Sequence, residues 1–245
     1  QGAQPAARRP AHQGRAGRVL VVAGSRGFVG AGRMAAAAAV HGGAGLVTLA
    51  VPKDVQDVAA SGLAPEIMIR GYREFAELAD VQRIAIDVPI GYGPREADGL
   101  ARALVGGSSV FSIPEREKFE VPFTEGGGIS AQAHALGDRI RHVTALAAGD
   151  TRFREVHPEL CFTAMNDMRR LRFRKKSAGG AFERLGLLRR HGINIDPGTL
   201  GGAATVPLDD VLDAAACAWT AARSDAVPLP DPPELRDGHP VAIWY

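Results

Sequence analysis

The chain has 245 residues, of which 46% are hydrophobic and 23% charged, and its formal net charge is +2. This length fits one large domain or two small ones with a buried core, and the small net charge excludes a polybasic chain that binds nucleic acid through its overall charge. Two cysteines, Cys161 and Cys217, exclude a disulfide framework and are expected to be buried thiols. No stretch approaches the roughly 20 apolar residues of a membrane helix. Residues 1–17 are polar and Arg-rich, so we expect no secretory signal and a cytoplasmic protein.

The first regular unit that the sequence predicts lies within residues 18–52. Residues 18–23 are a short apolar, β-branched run, which is typical of a buried parallel strand. A glycine-rich loop follows, then a helix of small residues at 33–41 and a second strand at 46–51. This order predicts a βαβ unit with two parallel strands.

The glycines of the loop allow two interpretations. Gly24, Gly27, Gly30 and Gly32 would let backbone amides approach an anion at the start of a helix. Their spacing matches neither the dinucleotide-binding loop nor a P-loop with its Gly-Lys-Ser/Thr. Tight turns and close packing of the helix on the strand explain the same glycines, so both interpretations stay open.

Several short pieces of this region carry a family resemblance, at residues 19–25, 30–31, 43–52 and 64–68. Together they resemble the opening of the NAD(P)H-hydrate dehydratase family. The resemblance implies a ribokinase-like fold and the ATP- or ADP-dependent repair of hydrated nicotinamide cofactors. The cofactor-binding residues that it implies are Gly24, Ser25, Gly30 and Ala31. The family's later G-x-G-D segment has no counterpart in this chain, so the resemblance implies a truncated fragment.

Shorter elements follow, beginning with helical patterning at residues 72–80. Residues 83–88 form an apolar run that predicts a strand, and a Gly/Pro turn precedes a short helix at 93–105. Residues 106–128 are rich in Gly, Pro and Ser and predict a long loop. A helix at 130–146 would present Ala133, Leu136, Ile140 and Val143 on one face.

Asp87 lies at the carboxyl end of a predicted strand, just before Pro89 and Gly91. A carboxylate buried there costs several kcal/mol unless it is paired, hydrogen-bonded or bound to a metal ion. Ligands of open α/β sheets also gather beyond the carboxyl ends of the strands. Asp87 is therefore a candidate catalytic and metal-binding residue, and the alternative is a carboxylate that caps the following turn.

The segment "REVHPE" predicts a strand on which Glu155, His157 and Glu159 point to one face. Three titratable side chains on one face could bind a divalent cation or relay protons. The alternative is an exposed face laced by salt bridges with Arg152 and Arg154.

The C-terminal part predicts two helices and one strand. The helix at residues 181–191 would bury Phe182 among others, and the last helix begins at Pro207. A Pro-rich loop at 226–240 leads to a terminal strand at 241–245. The alternation of strands and helices along the chain predicts the α/β class.

Three acidic residues open the last helix, namely Asp209, Asp210 and Asp213. Capping and the helix dipole explain Asp209, but Asp213 lies a turn further in. Asp210 and Asp213 share a face, where two carboxylates repel unless a cation lies between them. With Asp87 they are therefore candidate ligands of Mg²⁺ or Mn²⁺ in a two-metal phosphodiester hydrolase.

Residues 169–176, "RRLRFRKK", concentrate positive charge around Phe173. Such a stretch could hold the phosphate backbone of a nucleic acid. The alternative is a solvated basic face.

A second resemblance is carried by residues 86–91, 128–132, 154–159, 175–176, 209–214 and 243–245. These pieces are similar to a family of unknown function that is predicted to be an RNase-H-like nuclease. The resemblance implies an RNase-H-like mixed sheet flanked by helices. It also implies catalytic roles for Asp87, Glu155, His157 and Asp213, and phosphate contacts for Lys175 and Lys176. Members of that family begin with a strand that carries a metal-binding Asp, where this chain has dehydratase-like sequence.

The two resemblances together predict a chimera with a polar arm at 1–17, a truncated ribokinase-like fragment at 18–72 and a nuclease domain at 73–245. The predicted activity is metal-dependent phosphodiester hydrolysis. One alternative is an ADP/ATP-dependent NAD(P)H-hydrate dehydratase, and another is an inactive remnant that binds nucleic acid. The oligomeric state stays open.

Overall fold

The fold is known from a computed structural model of the chain. The residues that it describes are 18–24, 29–41, 46–74, 77, 83–106, 109–124, 127–195, 207–223, 225–236 and 238–245.

The described residues form two β-sheets. Their strands are β1 Arg18–Val22, β2 Leu46–Pro52, β3 Ile67–Tyr72, β4 Ile84–Ile86, β5 Phe153–Val156, β6 Pro228–Arg236 and β7 His239–Trp244. The first sheet has the order β1-β2-β3, and its strands are all parallel. The second has the order β4-β5-β7-β6, in which only the edge strand β6 is antiparallel to its neighbour.

Helices separate most of these strands in the chain. They are α1 Val29–His41, α2 Gln56–Ala60, α3 Glu96–Val105, α4 Ala131–Ala135, α5 Gly137–Ala147, α6 Pro158–Met165, α7 Ala178–Arg190 and α8 Leu208–Ala222. Ser130 and Ser177 cap α4 and α7, because each hydroxyl accepts a hydrogen bond from a backbone amide of the first turn. The predicted mixed α/β class is confirmed, whereas the RNase-H-like form of it stays a prediction.

The predicted βαβ unit is confirmed, since β1 and β2 pair in parallel around α1. The helix begins at Val29, four residues earlier than expected. Gly32 lies where the helix meets the sheet, and a Cβ there would be 2.9 Å from the Ala23 carbonyl oxygen. This contact supports close packing as the reason for that glycine. The third strand, β3, was not predicted.

The N-terminal unit shares its hydrophobic core with the rest of the chain. Leu20 and Val22 of β1 pack into a cluster with Ile84 of β4. Ala36 of α1 and Ala218 of α8 belong to another common cluster. The two predicted pieces therefore pack against each other, although their division near residue 72 stays a prediction.

Two predictions about helices need correction. The helix expected at 130–146 is divided at Leu136 into α4 and α5. Phe182 of α7 is 73% exposed instead of buried. The inner face of α7 carries Arg184 together with Leu187 and Leu188, because Arg184 turns inward to an acidic partner.

The Pro-rich loop expected at 226–240 is also a wrong prediction, because most of it is strand β6. Prolines are tolerated at the edge of a sheet, where one side of the strand needs no hydrogen-bond donors. Of the two cysteines, Cys161 is buried as predicted, and this burial raises its pKa to about 12. Cys217 is half-buried.

His239, the first residue of β7, should make folding pH-dependent. It is 6% exposed, and neither ring nitrogen has a regular hydrogen-bond partner among the described residues. Burial lowers the pKa of His239, and the nearby Asp150 and the backbone of Ala147 offset this only in part. Because the unfolded chain then binds the proton more tightly, the free energy of unfolding should fall as the pH drops below about 6.5.

Urea unfolding of the parent and of His239→Leu between about pH 5 and pH 8 tests this expectation. The free energy of unfolding of His239→Leu should rise relative to that of the parent as the pH drops. The exposed His142 provides a matched control, and His142→Leu should leave the dependence as it is. Equal slopes for the parent and His239→Leu would contradict the expectation.

Candidate functional site

A cavity of about 900 Å³ opens beyond the carboxyl ends of β4 and β5. Its walls include the start of α6, the loop between α6 and α7, and one side chain of α8. This is the edge of the sheet at which ligands gather in α/β proteins. The cavity brings together Asp87, Glu155, His157, Lys175 and Asp213, which are far apart in the chain.

Asp87 directly follows β4 and faces this cavity. It is exposed to the water of the cavity, but the surrounding protein desolvates it enough to raise its pKa to about 6. His157 opposes this rise, whereas Asp213 adds to it. A carboxyl group with such a pKa exchanges protons near neutrality, which is the property of a general base or acid.

Glu155 on β5 is anchored by a buried arginine that the sequence analysis did not single out. Its Oε1 accepts a hydrogen bond from Arg95 Nη2 at 2.9 Å, and its Oε2 accepts from the Ile90 amide at 2.7 Å and from Arg95 Nη1. Arg95 Nε also donates to Asp98 Oδ2 at 3.2 Å. These contacts leave Glu155 little capacity to act as the third metal ligand or base that we predicted.

Arg95, Asp98 and Glu155 form one buried group, and its electrostatics favour the charged state of Arg95. Burial alone would lower the pKa of Arg95, but Glu155 and Asp98 outweigh burial and the pKa is raised. A single sequence gives only a weak signal for this group, namely the i, i+3 spacing of Arg95 and Asp98 at a helix start.

His157 lies beyond the end of β5 and precedes the first residue of α6. Its Nε2 is 3.0 Å from the carbonyl oxygen of Ser109. A carbonyl oxygen only accepts, so Nε2 carries a proton, and in the neutral form of the ring Nδ1 is an acceptor. Nδ1 is buried and has no hydrogen-bond partner within the described part of the chain. His157 therefore retains an acceptor for a proton at the cavity wall.

The predicted alternation of Glu155, His157 and Glu159 on one strand is wrong, because β5 ends at Val156. All three residues line the cavity nevertheless. Glu159 lies in the first turn of α6, where Arg184 binds both of its oxygens at 3.0 and 2.6 Å.

Arg152 and Arg154, which we considered as salt-bridge partners of Glu155, His157 and Glu159, contact other residues. Arg152 pairs with Asp150, its Nη2 lying 2.6 Å from Oδ2. The guanidinium of Arg154 lies 3.9 Å from the ring centroid of Trp244. Glu155 and Glu159 thus pair with Arg95 and Arg184 from other parts of the chain.

Asp213 on α8 faces the cavity and pairs with Lys175. Its Oδ2 accepts a hydrogen bond from Lys175 Nζ at 2.9 Å, while Oδ1 is buried without a partner among the residues described. Burial raises the pKa of Asp213, and Lys175 opposes this rise. Burial would lower the pKa of Lys175, but the hydrogen bond and charge of Asp213 raise it. The pair is thus incompletely satisfied, with one free carboxylate oxygen.

Asp210, the other predicted ligand on α8, is exposed and is not part of the cavity wall. Only two of the three predicted metal ligands, Asp87 and Asp213, therefore face the same space. No group of three or more His, Cys, Asp or Glu side chains in the described ranges is arranged to hold a metal ion. Mg²⁺ often uses one or two carboxylates and keeps several waters, so this pair fits such an ion.

The described end of β1 adds no third carboxylate. β1 lies beside β4, but Ala23 and Gly24 follow it. The second resemblance implies a metal-binding Asp on the first strand, and the described residues of β1 do not supply one.

The predicted basic stretch divides into two parts. Arg169 pairs with Asp167, and Arg170 donates to the carbonyl oxygens at the end of α3. The remaining six members line the cavity, namely Leu171, Arg172, Phe173, Arg174, Lys175 and Lys176. Among the described residues no acidic side chain forms an ion pair with Arg172, Arg174 or Lys176. Positive charge is therefore available at the cavity rim.

The described residues of the glycine loop do not line this cavity. Gly24 has a φ of 103°, and Gly30 and Ala31 are in the first turn of α1. Ser25 lies outside the described residues. Gly24 and Gly30 do not line the cavity around Asp87, so the two predicted sites do not merge there.

None of the helices in the described part of the chain has both the length and the apolar character that crossing a bilayer requires. Residence in the cytoplasm stays a prediction.

The chain matches the family described as "Protein of unknown function (DUF429)" over residues 30–235. This match covers well over half of the chain, which therefore belongs to that family. The match begins at residue 30, before the junction that we predicted near residue 72, so that junction is not a boundary of the family. The chimera stays a prediction.

The chain also resembles curated enzymes over part of its length. A bifunctional NAD(P)H-hydrate repair enzyme from Coxiella burnetii is 43% identical over 95 residues, which are 38% of this chain and 19% of the relative. An ADP-dependent (S)-NAD(P)H-hydrate dehydratase from Lactococcus lactis is 30% identical over 129 residues, which are 48% of this chain and 46% of the relative. The chain spans less than half the length of these relatives.

A solved structure of a ribokinase-like superfamily protein from Enterococcus faecalis aligns with 90% of this chain and 75% of that chain. The sequence identity is 15% and the TM-score is 0.35. A likeness at this level does not establish a common fold.

Proposed function

We propose that this member of a family of unknown function hydrolyses phosphodiester bonds in the cavity around Asp87. One observation carries the proposal: two carboxylates that lack full neutralisation, Asp87 and Asp213, share a cavity with Arg172, Arg174 and Lys176, which have no acidic partner among the described residues. Phosphate needs cations to bind, and the attacking water needs a base.

Each side chain has a proposed role in this reaction. Asp87 accepts a proton from the attacking water. In the cation-free chain its pKa of about 6 leaves it ionised at neutral pH, and a bound cation, which would lower this pKa, would also acidify the water. The acceptor nitrogen of the neutral His157 ring takes up that proton and passes it to the oxygen that leaves the phosphorus when the P–O bond breaks. Lys175 and Lys176 hold the phosphate, and Lys175 does so beside its partner Asp213.

A divalent cation is the proposed cofactor. Asp87 and Asp213 would hold Mg²⁺ or Mn²⁺, and the free Oδ1 of Asp213 supplies a hard oxygen ligand. Such an ion stabilises the charge that develops on the phosphate oxygens and lowers the pKa of bound water. The absence of a carboxylate at the described end of β1 makes weak metal binding the expectation.

A second candidate function is the ADP- or ATP-dependent repair of NAD(P)H hydrates, as in the curated relatives. Sequence similarity favours this candidate over hydrolysis, because the relatives named above are repair enzymes and none is a nuclease. The described part of the glycine loop, with Gly24 and Gly30 near the start of α1, is where the nucleotide would bind. The third candidate, an inactive protein that binds nucleic acid, predicts binding without either reaction.

Two assays on the purified chain distinguish these candidates. We expect cleavage of a labelled oligonucleotide in Mg²⁺ or Mn²⁺ that stops when the cation is chelated. We expect no recovery of NADH from its hydrate with ADP, since the family's G-x-G-D segment is absent from the sequence. Recovery of NADH without cleavage would contradict the proposal in favour of repair, and the absence of both reactions would leave the inactive protein.

A further inference from the structure

We infer that Phe173 is a base-stacking platform for single-stranded nucleic acid at the rim of the Asp87 cavity. The inference rests on the proposed hydrolytic function and names its substrate class. Phe173 lies in the loop between α6 and α7 and is 47% exposed, although it lines a cavity. Single-stranded nucleic acid stacks its bases on aromatic rings that lie beside cationic side chains, and Phe173 lies in such a setting.

The ring of Phe173 lies flat against α7, because Gly179 has no side chain to keep it away. A Cβ at Gly179 would lie 2.9, 3.0 and 3.2 Å from Cγ, Cδ1 and Cδ2 of the ring. These three distances are nearly equal, so Gly179 lies over the face of the ring and not at its edge. One face of the ring therefore rests on the helix backbone, and the exposed area belongs to the rest of the ring.

The backbone beneath the ring is fixed as well. The carboxylate of Glu183 accepts hydrogen bonds from the amides of Arg172 and Phe173 at distances of 3.0 and 3.1 Å. A Cβ at Gly180 would meet the Arg174 carbonyl oxygen at 2.0 Å, so the loop lies directly on the first turn of α7. An aromatic platform that is ordered before binding loses less entropy when a base stacks on it.

The charges around the ring select the class of ligand. Arg172, Arg174 and Lys176 are exposed on the same rim. The guanidinium of Arg172 lies over the Phe173 ring, 5.5 Å from its centroid, so a base that stacks on that face would displace it. Flat apolar rings and phosphate charges alternate along single-stranded nucleic acid, which binds to such surfaces by stacking and by charge. A duplex buries its base faces within its own stack, so this rim should prefer single strands.

The proposed contact can be measured apart from hydrolysis by fluorescence anisotropy of a labelled oligothymidylate. Every protein carries Asp87→Asn and is kept free of divalent cations. We expect tighter binding of the single strand than of a duplex of the same length. Phe173→Ala should weaken binding of the single strand at least about 5-fold, the low end for one stacked base. Phe173→Trp should retain it.

Two matched controls use the same helix. Phe182 is 73% exposed on α7 but does not line the cavity, so Phe182→Ala should leave the affinity unchanged. A Cβ at Gly179 would displace the Phe173 ring from α7, so Gly179→Ala should weaken binding although Phe173 is still present. A Cβ at Gly186 meets no atom within 4 Å, so Gly186→Ala should not change the affinity.

The inference and the proposed function can fail separately. Equal affinity of Phe173→Ala and its parent, both folded by thermal unfolding, would overturn the stacking platform even if the unsubstituted chain cleaves oligonucleotides. Equal affinity for single strand and duplex would overturn it as well. Binding that depends on Phe173, in a chain that cleaves nothing, would support the platform and contradict hydrolysis.

Discussion

Replacing Arg95 with methionine is expected to lower the free energy of unfolding by about 3–5 kcal/mol. The side chain of Arg95 is 1% exposed and lies between those of Asp98 and Glu155, which are 4% and 7% exposed. Its removal leaves two carboxylates in the interior without a cation. The loss therefore reflects the cost of burying unpaired charge, and it exceeds what the ion pairs contribute when they are intact.

An exposed ion pair serves as the matched control for this substitution. Arg116 pairs with Glu120, and their side chains are 65% and 51% exposed. Arg116→Met should change the free energy of unfolding by no more than about 1 kcal/mol. Urea unfolding with both midpoint and m-value measured compares the two variants. A change for Arg95→Met as small as that for Arg116→Met would contradict the expectation.

The same buried group also positions Asp87. Glu155 Oε2 accepts from the Ile90 amide at 2.7 Å, and Arg95 Nη1 donates to the Ile90 carbonyl at 3.1 Å. Both backbone groups of Ile90 are thus held by a buried side chain, three residues beyond Asp87. Glu155 therefore acts on the site through the backbone turn that carries Asp87, and Arg95→Met should loosen that turn.

Local patterns were sufficient for several elements of the fold. The apolar β-branched run before a glycine-rich loop predicted β1, and the small-residue segment after it predicted α1, because strand and helix preferences act over short stretches. Edge strand β6 was missed because tolerance of prolines depends on sheet position, which a local pattern does not contain. The helix α7 was predicted, but its buried face depended on Arg184 finding Glu159 in another helix.

The candidate site also depends on contacts that a local pattern in the sequence does not contain. Asp87 was predicted because a strand end followed by Pro and Gly is a local signal. Its surroundings depend on pairs distant in sequence: Lys175 and Asp213 are 38 residues apart, and Arg95 and Glu155 are 60 apart. The signs of the charges along the sequence do not show which acidic side chain pairs with which basic one. Only the folded chain therefore shows that one carboxylate oxygen of Asp213 lacks a partner and that both carboxylate oxygens of Glu155 accept hydrogen bonds.

Replacing Asp87 with asparagine is expected to reduce phosphodiester cleavage by roughly 10²–10⁴-fold while it stabilises the fold. The activity falls because an amide accepts no proton from the attacking water. Asp225→Asn is the matched control, because Asp225 is exposed and pairs with Arg223 on the surface. It should leave cleavage unchanged. An Asp87→Asn rate equal to that of the parent would exclude Asp87 as the base.

The direction of the stability change follows from the pKa of Asp87. The folded chain raises this pKa from 3.8 to about 6, so the folded state binds the proton more tightly than the unfolded state. The contribution of Asp87 to stability is then largest below pH 3.8 and is lost as the pH rises through about 6. Asparagine resembles the protonated form, so the variant should be more stable than the parent at about pH 8, and the two should converge in acid.

Urea unfolding of both proteins across this range measures the difference. Asp225→Asn should show the opposite sign or none, because Arg223 lowers the pKa of Asp225. Lower stability of Asp87→Asn at about pH 8 would mean that the carboxylate is a structural partner of its neighbours. Higher stability together with lost cleavage would mean that the chain retains an unfavourable charge at Asp87 because the reaction requires it.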